Sequence, residues 1–176
     1  MNSKSSKTIL TIMNVLFWIV FIGLCIETGA LLFGYILSLF IDESSTFTLY
    51  KLIDLNKLYS KDIVQFHIVM TSYIIISGLK TFISYKVIKL FTILKLEHPF
   101  TAETTKFVFD ISYWTILTGI FVAIANSNII WVTKHIQEVE ISSNANEIIF
   151  FAGLIYIIAV IMQRGTEIQD ENDLTV

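Results

Sequence analysis

Cysteine, proline and charge are all scarce in this sequence. Its 176 residues include one cysteine, one proline and seven glycines, and 15% are Asp, Glu, Lys or Arg. A single cysteine, Cys25, excludes an intrachain disulfide framework. So little proline and glycine excludes collagen-like and proline-rich chains. A soluble domain carries about 25% charged residues. The shortfall, beside 55% apolar residues, excludes a disordered chain and a basic, nucleic-acid-coating protein, and points away from water as the solvent. The net charge of −3 names no partner. There is no phosphate-cradling glycine loop, no nucleophile elbow and no paired metal-ligand spacing; His67, His98 and His135 lie in different segments. The reading is therefore a non-enzymatic chain with no cofactor and no metal.

What the sequence has is long apolar runs. A bilayer-crossing helix needs about 20 mostly apolar residues. Four stretches qualify, at about 9–41, 63–87, 107–132 and 147–164. They are too continuous for barrel strands, which alternate in polarity. The fourth has an apolar part of only 15 residues, Ile148 to Met162, and needs helical flanks to cross. The first has 33 residues, roughly 50 Å as a helix, against a hydrocarbon core of about 30 Å. It must tilt, protrude, or break near Glu27-Thr28-Gly29. Its lysine-led start resembles a signal peptide, but the apolar run continues past any cleavage site, so it reads as an uncleaved anchor. The expected fold is all-α: one domain over 1–176, an integral membrane four-helix bundle.

Lysine and arginine set the orientation. With the N-terminus inside, the inner segments hold eight: Lys4, Lys7, Lys80, Lys86, Lys89, Lys95, Lys106 and Arg164. The outer segments hold four: Lys51, Lys57, Lys61 and Lys134. The bias places both termini in the cytoplasm, and the four runs make the chain a multi-pass protein of a cell membrane, with the bilayer as its first partner. In the first outer loop, Leu49, Leu52, Ile53 and Tyr59 read either as one face of a surface helix or as part of a solvated connector. In the inner connection, Lys86, Lys89, Thr92 and Lys95 form a narrow polar stripe on a helix continuing the second span. Pro99 stops that helix. Thr101 can cap the next one, with Glu103 near its positive dipole end. Lys86, Lys89, Lys95, Pro99 and Phe100 together make a candidate inner surface.

Ionisable groups at membrane depth carry a functional hypothesis. Glu27, Lys80 and Asp110 are the three. Lys80 and Asp110 lie at similar depth and can pair, with Arg164 joining from the inner end of the fourth span; Glu27 lies deeper, with Lys80, or Asn14 and Thr28, as its nearest candidates depending on where the first span is centred. Such a cluster serves either as a polar clamp between helices or as a relay. Thr115, Gly119 and Ala123 form a small-residue face at spacing four, as do Ala30 and Gly34. Both read as packing within the chain, with no support for a homo-oligomer.

After Arg164 the chain is acidic, and residues 165–176 read as a cytoplasmic tail. Glu167, Ile168, Asp170, Glu171, Asp173 and Leu174 are its candidate partner-binding residues. If the fourth helix extends into it, Ile168 and Glu171 share a face. The run Gly165-Thr166-Glu167-Ile168-Gln169-Asp170-Glu171-Asn172-Asp173-Leu174-Thr175-Val176 resembles the tail of the bacterial domain-of-unknown-function family numbered 2975. The segment His98-Pro99-Phe100-Thr101-Ala102-Glu103 is similar to that family's Pro-Phe connection, and the four-span layout matches. The resemblance implies a small membrane protein without established activity. Members are often encoded beside a small helix-turn-helix regulator, which implies a membrane partner for a transcription factor and no direct contact with nucleic acid. Two functions follow as expectations. The first is a protein that binds or sequesters such a regulator. The alternative is a small transporter or immunity-type membrane protein using Glu27, Lys80 and Asp110.

Overall fold

The computed structural model describes residues 3–40, 55–94, 100–135 and 145–173. All of these are helical except Asp62, Leu94, Phe100 and Thr101. The helices are α1 (Ser3–Phe40), α2 (Leu55–Lys61), α3 (Ile63–Ile93), α4 (Ala102–His135) and α5 (Ala145–Asp173). Lys7–Phe40, Ile63–Ile93, Ala102–His135 and Ile148–Gln169 are long and apolar enough to cross a membrane.

α1 is one unbroken helix through Glu27-Thr28-Gly29, so of the three alternatives for that long run the break is excluded. Within it the Thr28 hydroxyl donates back to Leu24 O at 2.8 Å, one turn earlier. Helix starts follow local chemistry. Asp62 caps α3, its Oδ1 accepting from the backbone N–H of Val64 (3.0 Å) and Gln65 (3.1 Å). The short α2 abuts this cap, its Leu58 O accepting from Asp62 N at 2.8 Å. Thr101 caps α4 as expected, its Oγ1 accepting from Thr104 N at 3.1 Å, with Glu103 in the first turn. Of the surface-helix residues proposed before α3, Tyr59 lies in α2 and its ring meets Phe66 edge-on; Leu49, Leu52 and Ile53 lie outside the described residues.

The long helices pack antiparallel in chain order: α1 on α3, α3 on α4, α4 on α5. Matched pairs fix each register. Across α1–α3 they are Phe17–Phe91, Phe21–Tyr85, Thr28–Ser77 and Tyr35–His67. Across α3–α4 they are Gln65–Asn128, Phe82–Trp114 and Lys86–Asp110. Across α4–α5 they are Thr105–Thr166, Phe109–Tyr156 and Gly119 against Ile149. Among the described residues α1 and α5 do not pack on each other, so the bundle is open.

The burial pattern is compatible with lipid around the helices. Among the described residues the buried polar side chains are all serines and threonines: Ser38, Ser77, Ser84, Thr104, Thr105, Ser112, Thr115, Thr118 and Thr166. Small hydroxyl side chains let helices approach and bond across the seam or back to their own backbone. Large aliphatic and aromatic groups face outward instead, Ile26 at 68%, Phe150 at 65% and Ile161 at 62% exposure. Water would penalise that surface heavily, since contiguous apolar exposure of this kind is rare on soluble monomers. One apolar knot lies at the α2 end of the bundle, formed by Leu58, Phe66, Val69, Met70 and Val132, with Tyr35, Tyr59 and Tyr73 packed against it.

Candidate functional site

The charged residues do not gather into the single cluster expected of them. Lys80 does not pair with Asp110. Lys86 does, its Nζ donating to Asp110 Oδ2. The reason is register: Phe82 lies against Trp114, so Asp110 sits one turn further along, opposite Lys86. Phe82 and Phe107 frame the ammonium, with ring centroids 5.3 and 5.9 Å away, and Lys89 Nζ lies 5.4 Å from the Phe107 centroid. Arg164 does not join either. It turns along its own helix and donates to Glu167 Oε2 at 2.6 Å, and Gln163 donates to the other carboxylate oxygen at 3.3 Å. Asp110 is thus paired across the α3–α4 seam and Arg164 within its own helix, each by a residue that depth alone did not single out for it.

Glu27 and Lys80 are left together. Both line a cleft of about 340 Å³ bounded by α1, α3, α4 and the first turn of α5. The α3 wall adds Ser72, Tyr73, Ile76 and Ser77; the other wall is Val122, Ala125, Ile129 and Ile148. Beneath the cleft Thr28 ties α1 to α3, its Oγ1 2.8 Å from Ser77 Oγ and 3.1 Å from Thr81 Oγ1. These hydroxyl pairs were not anticipated. The signal was a threonine beside Glu27 and a Ser-x-x-x-Thr step around Lys80, readable only once the α1–α3 register is known. The cleft lies where α5 begins. Gly119 faces Ile149, so in an antiparallel pair Ala145 stands near Ala123, and α4 continues about 12 residues, ~18 Å, past it.

The small-residue face on α4 packs within the chain, as expected: Thr115 and Gly119 are buried, and Gly119 admits Ile149. The face at Ala30 and Gly34 is not closely packed; a Cβ on Gly34 would meet nothing within 4 Å. His67 bonds the Tyr35 hydroxyl at 3.2 Å.

At the opposite end of the bundle α5 continues as helix to Asp173. Ile168 is 59% exposed and Glu171 is exposed. Of Asp170 and Asp173 only the helical backbone is described; Leu174 lies outside the described residues, as do Lys95 and Pro99. Phe100 lies over Gly165, where a Cβ would come within 2.8 Å of its ring. Beside it a groove of about 390 Å³ runs between α4 and α5, with Lys106, Gln163 and Glu167 on its rim. Among the described residues no group of three His, Cys, Asp or Glu side chains could hold a metal ion.

The fold and these features define an all-α chain with four helices able to span a membrane. Comparison with protein-family models, curated proteins and solved structures gives no match.

Proposed function

We propose that the chain is a non-enzymatic protein of the bacterial cytoplasmic membrane, both termini cytoplasmic, that binds or sequesters a cytoplasmic partner at the end of α5. The observation carrying this reading is that α5 runs on as helix for 11 residues beyond Met162, about 16 Å, with Glu167 and Glu171 beside an exposed Ile168. An acidic helix end with one apolar anchor suits a basic, grooved partner. The resemblance makes that partner a helix-turn-helix transcriptional regulator. Its DNA-binding surface is basic, and a row of carboxylates competes for it as phosphates do. The groove beside Lys106 and Glu167 would extend the contact onto α4. The test is co-purification in mild detergent with the full chain and with a chain lacking Glu167 to Val176. Recovery of a DNA-binding protein with the full chain alone supports the reading. Equal recovery with both overturns it.

A second reading is a small transporter or immunity-type membrane protein. The specific observation favouring it is that Glu27 and Lys80 line one cleft between the apolar helices. Asp110 drops out of this reading, since Lys86 holds it.

A further inference from the structure

We propose that the cleft between α1, α3 and α4 is a hydrated binding site for a small zwitterion with an apolar group, its ammonium matched by Glu27 and its anionic group by Lys80. The proposal rests on the second reading in taking these two residues as facing an accessible cleft. It is independent of what binds the end of α5.

Depth is the first argument. Thr28 bonds Ser77 and Thr81, so Glu27 and Lys80 lie at one level, on neighbouring helices. Ser77 is midway along α3 (Ile63–Ile93). That level falls near the centre of an apolar slab about 30 Å thick. Charged side chains there are costly and face protein interiors or water-filled cavities.

Compensation is the second argument. Two other charges on the apolar helices have partners in the chain: Asp110 has Lys86, and Arg164 has Glu167. Glu27 and Lys80 have neither a hydrogen bond nor an ion pair among the described residues. Their charges are left for something that enters the cleft.

The walls decide what that is. The charged side also carries the hydroxyls of Ser72, Tyr73 and Ser77, while Val122, Ala125 and Ile129 make the facing wall aliphatic. A simple cation suits Glu27 but is repelled by Lys80. A simple anion meets the reverse. A neutral apolar molecule leaves both charges desolvated and unmatched, which is the expensive arrangement. A molecule carrying both signs and an aliphatic group satisfies every wall. The volume of about 340 Å³ accommodates such a molecule with a few waters, each needing about 30 Å³.

The test uses the full chain in nanodiscs, with Cys25→Ser removing the only native thiol. Ser72→Cys reports on the cleft and Ile124→Cys, on an outward face of α4, is the lipid-facing control. Labelling by a charged thiosulfonate should be at least tenfold faster at Ser72→Cys. L-Leucine is the probe, with 3-methylbutylamine and 4-methylpentanoate as its single-charge halves. Leucine should slow labelling at least fivefold, and each half less than twofold. Glu27→Gln and Lys80→Gln should each abolish the protection while leaving labelling fast. Should either variant fail to elute as a single helical species, Glu27→Asp replaces it and should weaken protection severalfold.

Equal labelling at the two positions would mean that the cleft is dry and closed by a direct Glu27–Lys80 pair; that overturns both the proposal and the second reading. Fast labelling with no protection by leucine, or with protection by one half alone, overturns the zwitterion and leaves the accessible cleft standing.

Discussion

Thr28 and Ser77 meet hydroxyl to hydroxyl at 2.8 Å across the seam between α1 and α3. When Thr28 gives its hydrogen to Leu24 O, its lone pairs remain to accept from Ser77. This contact fixes the level of Glu27 against α3, and so decides which charges share the cleft. Thr28→Val removes the hydroxyl at nearly constant volume and should cost about 0.6 kcal/mol per lost interhelical bond. Thr28→Ser should cost less. Unfolding in mixed micelles is the measurement, and a valine variant as stable as the parent would show that the seam is held by packing alone.

Lys86 and Asp110 form the ion pair between α3 and α4. Lys86→Met or Asp110→Leu alone leaves a charge unpaired among aromatic rings and should destabilise. The side chains keep 21% and 39% of their exposure, so the loss should be of the order of 1 kcal/mol, below the range for buried pairs. The double variant should recover most of it. The same cycle run on Lys80 and Asp110 should be additive, because these two do not touch. A coupling energy at Lys80 equal to that at Lys86 would contradict the register described above.

Gly119 lies against Ile149, and an added Cβ would stand 2.9 Å from Ile149 Cγ1 and 3.6 Å from its Cα. Gly119→Leu should push α5 off α4 and cost about 1–3 kcal/mol, the usual range for overpacking. Gly153→Leu provides the control, since nothing lies within 4 Å of a Cβ there. Cross-linking between cysteines placed at Thr105 and Thr166, whose hydroxyls are 3.0 Å apart, reports the separation directly. Undiminished cross-linking in Gly119→Leu would count against this packing.

Topology follows from the eight-to-four distribution of lysine and arginine. Reporter fusions after Val176 and between Lys86 and Lys106 should read as cytoplasmic. Fusions near Lys57 and Glu138 should read as external. A cytoplasmic signal near Lys57 would remove the four-span arrangement.

The four long apolar helices and the α4 cap at Thr101 were legible because each depends on local chemistry: apolar length, and a hydroxyl three residues before an N–H. The charge partners were not legible. Pairing by depth joined Lys80 to Asp110, yet the difference between Lys80 and Lys86 is a helical register of six residues. That register is set by Phe82 on Trp114 and Gln65 on Asn128, contacts between residues far apart in sequence. Arg164 was misplaced for the opposite reason. Its partner, Glu167, is three residues away, and a within-helix pair outcompetes a distant one. The cleft was invisible in the sequence because it arises from where α5 starts relative to α4, which no apolar run encodes.

Each long helix packs on the one made just before it, and α1 does not wait for α5. For a chain delivered into a bilayer from its N-terminus, this order means that every span finds its docking face already in place on arrival. Assembly can then keep pace with synthesis, and no seam need be opened to admit a later helix. The last step is the arrival of α5 on α4, and only then does Ile148 complete the wall facing Glu27 and Lys80. Until that moment the two charges stand beside an unfinished enclosure, so the cleft acquires its last wall only at the end of assembly.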